Sequence, residues 1–157
     1  MSVLEHWFYH CKHSPLDAVL PDILEKTYAK GWRAVVRIGA LAGDPQSELG
    51  RWDRFLWAYK KSGFLPHGRD DEPLADRQPV LLSSADTPVE NRDVIILISG
   101  AEIPECTGVK RCITMFEDGD EAGKTIARTR WKSLTSAGEQ ASYWSQNDHG
   151  KWIQPLG

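Results

Sequence analysis

Val94-Ile95-Ile96-Leu97-Ile98 is the stretch that decides the fold. Five consecutive apolar residues, four of them β-branched, are typical of a strand that is buried on both faces of a sheet. A strand with one face in water would instead alternate apolar and polar residues. We therefore expect this strand inside a parallel sheet that is covered on both sides.

The residues before this strand alternate between strand and helix patterns. Residues 7–11 and 34–39 predict two strands, and a helix between them makes the pattern of a βαβ unit. Ser14 is the expected N-cap, Pro15 the first helical residue, and Gly31 the stop. The apolar residues that recur at helical spacing in this helix are Leu16, Val19, Leu20, Ile23, Leu24 and Tyr28.

The rest of the chain continues in the same way. Asp44-Pro45 opens a second helix, residues 80–82 and 111–116 predict strands, and a third helix runs from about Glu121 to Ser136. The tail after Gly138 could add short strands. The sequence predicts an α/β fold: a single-domain, Rossmann-like, three-layer sandwich with a largely parallel central sheet. That domain should span residues 1–157, with an irregular tail from about residue 145.

Composition limits the classes of function. The formal net charge of −3 and pI of about 5.9 argue against a general nucleic-acid clamp, which usually carries a strongly basic face. Three cysteines without a CxxC pair fit free thiols in a reducing cytosol, so a cytoplasmic location is expected. No apolar run approaches the eighteen or so residues of a membrane span, so no membrane partner is expected.

Motifs for catalysis and cofactor binding do not occur. The chain has no GxxxxGK[ST], no GxGxxG and no GxSxG. Residues 39–43, Gly-Ala-Leu-Ala-Gly, lie between a strand and a helix, where phosphate could bind, but they lack either glycine spacing. Asp118 and Asp120 could suggest acid–base or Mg²⁺ chemistry, although capping of the third helix is favoured. We expect no catalytic residue and no cofactor.

A histidine group near the start could suggest a metal site. His6, His10 and His13 lie close together, with Cys11 among them. On a strand, however, His6 and His10 would be about 13 Å apart. No second cluster completes a tetrahedral ligand set. We therefore expect no metal.

The third helix carries a basic stripe. Lys124, Arg128 and Lys132 lie at positions i, i+4 and i+8, and Trp131 flanks the same face. Arginine grips a carboxylate with a fork of donors, and tryptophan offers an apolar wall, so the face suits an acidic peptide with apolar side chains. A solvated face with Trp131 in the core fits the spacing equally well.

A second group of residues follows the second helix. Its core stripe is accounted for by Trp52, Phe55, Leu56 and Tyr59. Trp57 falls outside the stripe, and together with Phe64 and Pro66 it could form an apolar surface patch of the kind that binds a protein. A loop that folds over Trp57 and buries it is the other interpretation, and the sequence does not choose between them.

Several segments, in order and over almost the whole chain, resemble the chi subunit of bacterial DNA polymerase III. The most specific are Phe64-Leu65-Pro66-His67-Gly68 and Ala127-Arg128-Thr129-Arg130-Trp131-Lys132. Phe8-Tyr9, Gly31-Trp32-Arg33-Ala34-Val35, Leu56-Trp57, Pro79-Val80-Leu81-Leu82 and Met115-Phe116 match as well.

The resemblance implies a non-catalytic adaptor that tethers the clamp loader to single-stranded DNA-binding protein, SSB. Its implied site for the acidic C-terminal tail of SSB consists of Lys124, Arg128, Trp131 and Lys132. DNA contact would then be indirect, through SSB.

The resemblance also implies a second partner surface, formed by Trp57, Phe64, Pro66 and His67. It would bind the psi subunit or another clamp-loader or helicase-like partner. The residues alone leave two alternatives open. One is a direct single-stranded DNA binder that uses the basic helix and the tail aromatics, and the other is a nucleotide-dependent enzyme.

Overall fold

The arrangement of strands and helices confirms the predicted α/β class. The computed structural model describes residues 4–59 and 65–154. The helices are α1 Leu16–Ala29, α2 Pro45–Ala58 and α3 Glu121–Ser136, with short 3-10 turns at Ala40–Ala42 and Ala75–Arg77. The strands are β1 Glu5–Cys11, β2 Ala34–Ile38, β3 Gly68–Arg69, β4 Val80–Ser83, β5 Val89–Glu90, β6 Val94–Ile98, β7 Cys106–Thr107, β8 Arg111–Glu117, β9 Ala141–Gln146 and β10 Trp152–Ile153.

The main sheet has the strand order β10-β9-β1-β8-β6-β2-β4-β3. Every pairing in it is parallel except that of β10 with β9. β6, which is the apolar run 94–98, lies between β8 and β2 and is buried along its whole length, as predicted. β5 and β7 form a separate parallel pair.

Two different layers cover the sheet. On one face, Ile96 and Ile98 of β6 share a core cluster with Leu24 of α1 and Trp52 of α2. On the other face, Leu97 packs in a cluster beneath β5 and β7, and α3 covers the neighbouring part through a third cluster. The three-layer prediction is therefore confirmed. Among residues 4–59 and 65–154, no helix is long and apolar enough to span a bilayer.

The start of α1 differs from the prediction. Pro15, not Ser14, is the N-cap, and α1 begins at Leu16. The Ser14 side chain instead accepts a hydrogen bond from the Gln146 amide at 3.1 Å, and its backbone N–H donates to Gln146 Oε1 at 3.0 Å. The serine thus ties α1 to β9. Tyr28 is also not a core residue, because 43% of it is exposed.

The start of α2 agrees with the prediction, and short strands follow Gly138 as the sequence allowed. Asp44 caps α2 by accepting from Gln46 N at 3.2 Å, with Pro45 at the first helical position. After Gly138, β9 runs to Gln146 and pairs with β1, and beyond it the described chain is irregular except for the two-residue β10. Pairing with β9 satisfies backbone groups of β1 that would otherwise form an open sheet edge.

A crevice forms at the ends of two neighbouring strands, β2 and β6, because the chain leaves them toward opposite edges of the sheet. From β2 the chain continues through α2 to β3 and β4 on one side, and from β6 it continues to β8 on the other, so the connections separate at the carboxyl ends of β2 and β6. The segments touch at Gly39, where a Cβ atom would lie 2.3 Å from Ala101 N and 2.5 Å from Ser99 O. Only glycine fits this crossing without displacing backbone.

Replacing this glycine should be costly. We expect Gly39→Ala to lower the free energy of unfolding by at least about 2 kcal/mol, because the methyl group would overlap rigid backbone. Gly119→Ala is the matched control, since a Cβ there would meet no atom within 4 Å. Urea denaturation of both variants measures the difference. Equal stability of the two would contradict the close contact.

Candidate protein-binding surface

Helix α3 is held at both ends by local interactions. Asp120 is its N-cap and accepts a hydrogen bond from Gly123 N at 3.0 Å. A Cβ at Gly123 would lie 2.4 Å from Asp120 Oδ2, so glycine makes room for the cap. Gly138 follows the helix with a φ of +78°, which favours glycine. The capping role expected for Asp120 is thus confirmed, but Asp118 lies elsewhere and pairs with other side chains.

A buried arginine fixes the rotation of α3. Arg130 is 9% exposed; it donates from Nη1 to Thr114 Oγ1 at 3.0 Å and from Nη2 to Ala101 O at 2.8 Å. Burial lowers the pKa of its guanidinium. Because Arg130 points into the protein, the stripe through Lys124, Arg128 and Lys132 lies on another side of the helix.

The three cations of the stripe differ in how they are paired. Lys124 Nζ lies 3.4 Å from both Asp118 Oδ1 and Glu121 Oε1, and its side chain is 18% exposed. Arg128 and Lys132 are exposed. In the part of the chain that the structure describes, no ion pair involves either of them. The unpaired positive charge on α3 therefore lies toward its carboxyl end.

Trp131 belongs partly to the core and partly to the surface. Its ring makes edge contacts with Phe8, at 5.4 Å between centroids, and with Tyr143, at 5.7 Å. It packs against the core cluster of Phe8, Phe116 and Ala127 but is only partly buried. The contacts of Trp131 agree with its expected place in the core, and peptide binding at this face stays a prediction. The indole is anchored by the sheet, and one portion of it stays accessible beside Arg128 and Lys132.

Three residues that the sequence did not assign to this surface lie beside it. His10 Nδ1 is 2.7 Å from the Tyr143 hydroxyl, and His10 Nε2 is 2.8 Å from Asp118 Oδ1. The imidazole also stacks on Phe116 at 4.6 Å. Tyr143 and Asp118 are 133 and 108 positions from His10 along the chain, so no motif spacing signals this group.

The protonation of this group follows from burial and hydrogen bonding. Burial lowers the pKa of His10, and the hydrogen bond from His10 lowers that of Asp118. A neutral imidazole therefore donates from Nε2 to the Asp118 carboxylate and accepts the Tyr143 hydroxyl proton at Nδ1. Burial raises the pKa of Tyr143, while the nearby Arg128 opposes that rise. The surface thus combines unpaired cations with a neutral aromatic wall.

The second predicted surface is described only in part. Trp57 is 53% exposed, and its ring lies 4.4 Å from the ring of His67. His67 is itself buried, with Nδ1 2.9 Å from Leu65 O and Nε2 3.2 Å from Asp53 O. The buried His67 ring therefore packs against the exposed indole of Trp57. His67 itself has almost no solvent-exposed surface for a partner to contact. Pro66 is half-buried, and Phe64 lies outside the described residues.

The histidines and cysteines show no metal-binding arrangement. Within residues 4–59 and 65–154, no group of three His, Cys, Asp or Glu side chains could hold a metal ion. Cys11 and Cys112 are free thiols, and burial raises the pKa of each to about 12. Such thiols are poor nucleophiles and poor metal ligands at neutral pH.

Taken together, these features define an α/β domain that presents unpaired cations and aromatic side chains on an open helix face. Residues 4–142 match the family described as DNA polymerase III chi subunit, HolC, and the chain belongs to this family. It is also similar to the probable DNA polymerase III subunit chi of Rickettsia prowazekii (strain Madrid E), with 26% identity over 110 residues. That match covers 69% of this chain and 63% of the relative, less than two thirds of its length. The resemblance read from the motifs is confirmed.

The buried histidines make a prediction about pH. Burial lowers the pKa of His6 and His10 below the ordinary 6.5, so the unfolded chain binds more protons than the folded one as pH falls. The free energy of unfolding should therefore be highest above that value and should fall between about pH 7 and pH 5. His10→Gln should flatten the decline, and His149→Gln, at an exposed position, is the control. Urea denaturation across this range measures the slopes; identical slopes for wild type and His10→Gln would contradict the prediction.

Proposed function

We propose that this protein is a non-catalytic accessory subunit of the replicative DNA polymerase III. It acts in the cytoplasm and links the clamp-loader complex to SSB by holding the acidic C-terminal tail of SSB on α3. Its contact with DNA is indirect, through SSB. The observation that carries this proposal is the placement of unpaired Arg128 and Lys132 beside the half-buried Trp131.

In this proposal each residue of the surface has a different task. The Arg128 guanidinium is exposed and holds the terminal carboxylate of the tail in two hydrogen bonds. Trp131 and Tyr143 form the wall for the apolar side chains that end the tail. Lys132 attracts the acidic residues upstream. Lys124 contributes less, because Asp118 and Glu121 already pair with it.

The surroundings of His10 support a non-catalytic role. His10, Asp118 and Tyr143 are the residues of this surface that most resemble an acid–base set. Yet His10 is 8% exposed, and both of its ring nitrogens are already hydrogen-bonded within the protein. A general base must reach the proton it abstracts, and an imidazole that is 8% exposed has little surface with which to reach a substrate directly. The group instead supports Tyr143 at the edge of the tail site.

The exposed Trp57 is the centre of the second surface in this proposal. With Pro66 and Phe64 it binds the psi subunit or another clamp-loader or helicase-like partner. Large aromatic residues are enriched among the residues that dominate binding energy, and Trp57 is 53% exposed on helix α2. α2 and α3 lie on opposite faces of the sheet, so the two partners can be bound together.

A cycle of variants and peptides tests the tail site. A peptide with an acidic sequence and a C-terminal Phe should bind, and Arg128→Ala should weaken binding about ten- to a hundredfold, because a hydrogen bond to a charged group is lost. Arg128→Lys should recover only part of the affinity, since an ammonium cannot form the fork. Amidating the peptide terminus should mimic Arg128→Ala, and the two changes should not add. Isothermal titration measures each affinity.

Controls separate this prediction from general electrostatics. Arg77→Ala removes another exposed arginine and should leave the affinity unchanged. Trp131→Ala should weaken binding at every salt concentration, whereas Lys132→Ala should matter less as salt rises. If the losses of affinity from Arg128→Ala and from amidation were additive, Arg128 would not be the residue that binds the terminal carboxylate. Tight binding of a naked oligonucleotide with steep salt dependence would instead favour the direct DNA binder.

The second surface has its own test. Trp57→Ala should weaken attachment to the clamp-loader complex by about tenfold or more, because a central exposed indole is lost. It should leave binding of the SSB tail nearly unchanged, since distant sites act independently. Tyr28→Ala, at an exposed aromatic residue of α1, is the matched control. Co-purification and peptide titration give the two readouts, and a folded Trp57→Ala protein that keeps every partner would exclude this surface.

A further inference from the structure

β9 is an edge strand of the main sheet for most of its length. Its outer neighbour, β10, pairs only with Ser145 and Gln146. Within the ranges that the structure describes, no strand pairs with the outer edge of residues 141–144, and all four of these residues are partly exposed. An edge of this kind presents backbone donors and acceptors with which an extended peptide can pair.

The hydrogen bonds around β9 identify the residues that face outward. His6 N donates to Gln140 O at 3.0 Å, so the even-numbered residues of β9 bond β1. On the other side, Asn147 N donates at 2.9 Å to the carbonyl of the residue just before β10, so the odd-numbered residues face outward. Ala141 and Tyr143 therefore direct their N–H and C=O groups away from β1, at a level that β10 does not reach.

The side chains of this segment do not protect the edge. Natural edge strands are commonly shielded by charged residues, by proline or by short length. Residues 141–144 are Ala-Ser-Tyr-Trp, with neither a charge nor a proline. At the opposite edge of the sheet, β3 is two residues long and carries Arg69. The contrast favours β9 as the edge to which a partner strand adds.

The open edge lies beside the unpaired cations of α3. The Tyr143 ring contacts Trp131 at 5.7 Å between centroids. Arg128 and Lys132 are four residues apart, which is about 6 Å along a helix. Ala141 and Tyr143 are two residues apart, which is about 6.6 Å along a strand. An extended peptide between these two rows can therefore bond the strand through its backbone while its carboxylates meet the cations.

We propose that the acidic SSB tail adds to β9 as a further strand of the main sheet. Its backbone pairs with the N–H and C=O groups of Ala141 and Tyr143. Its side chains alternate between the α3 side of the sheet, where Tyr143 lies, and the other side, where Trp144 lies. This inference rests on the proposed function of the α3 surface and specifies how the peptide is held there. Acidic side chains are selected at every second position, because only those face α3.

Methylation of the peptide nitrogens tests the pairing on an unaltered protein. An N-methyl group removes one donor and keeps a neighbouring strand from approaching. Each backbone nitrogen of the acidic peptide with a C-terminal Phe is methylated in turn, and isothermal titration measures the affinity. Methylation at the alternate positions that face β9 should weaken binding about three- to tenfold, because a backbone hydrogen bond is lost. The positions between them are the matched controls and should bind like the unmodified peptide.

Hydrogen exchange on the full chain gives an independent measurement. In the free protein, the amides of Ala141 and Tyr143 should exchange much faster than those of Ser142 and Trp144, which bond β1. Saturating peptide should slow exchange at Ala141 and Tyr143. If these two amides are already protected in the free protein, another part of the chain covers the edge and the proposal is overturned.

The possible results separate strand addition from the function on which it rests. If the unmodified peptide binds and Arg128→Ala weakens it, but N-methylation has no alternating effect, the tail site stands and strand addition is wrong. The same holds if the peptide leaves exchange at Ala141 and Tyr143 unchanged. If the unmodified peptide does not bind at all, both the tail site and strand addition are wrong.

Discussion

The hydrogen bonds of Arg130 are the interaction that holds helix α3 in place on the sheet. One arm of its guanidinium holds Thr114 on β8, and the other holds Ala101, just beyond β6. Each is a charge-assisted bond in a buried setting, of a kind that contributes about 1.5–3 kcal/mol. The first fixes which side of α3 faces the sheet, and the second fixes the turn that closes the crevice near Gly39. A single side chain thus joins the helix to the end of the central strand.

The cationic and aromatic surface around α3 is built from three separated parts of the sequence. α3 provides the cations and Trp131, β1 provides His10, and β9 provides Tyr143. Acidic neighbours hold Lys124, so the free charge is confined to one end of the helix beside the aromatic wall. The surface therefore has two unlike ends, one polar and hydrogen-bonded and the other cationic and aromatic.

Local patterns in the sequence predicted much of this structure, and long-range contacts account for the rest. β6 and α3 form at the predicted residues. The signals for them, an apolar run and a capped amphipathic segment, lie entirely within the elements themselves. Ser14 has the right residue type for a cap, yet Gln146 binds it from a distant strand. The pairing of His10 with Tyr143 likewise exists only once β1 and β9 are neighbours. The spacing of the charged residues on α3 predicted the cations of this surface. It did not predict the tyrosine that packs next to them.

The position of β1 has a consequence for biosynthesis. β1 leaves the ribosome before its two neighbours in the sheet, β8 and β9, which begin at Arg111 and Ala141. The nascent protein therefore carries this strand unpaired until those segments have been made, and such strands are prone to wrong pairing. Contacts between residues this far apart in the sequence also form slowly, and this lowers the folding rate. Because Tyr143 lies on β9, its contacts with His10 and Trp131 form only after β9 has paired with β1.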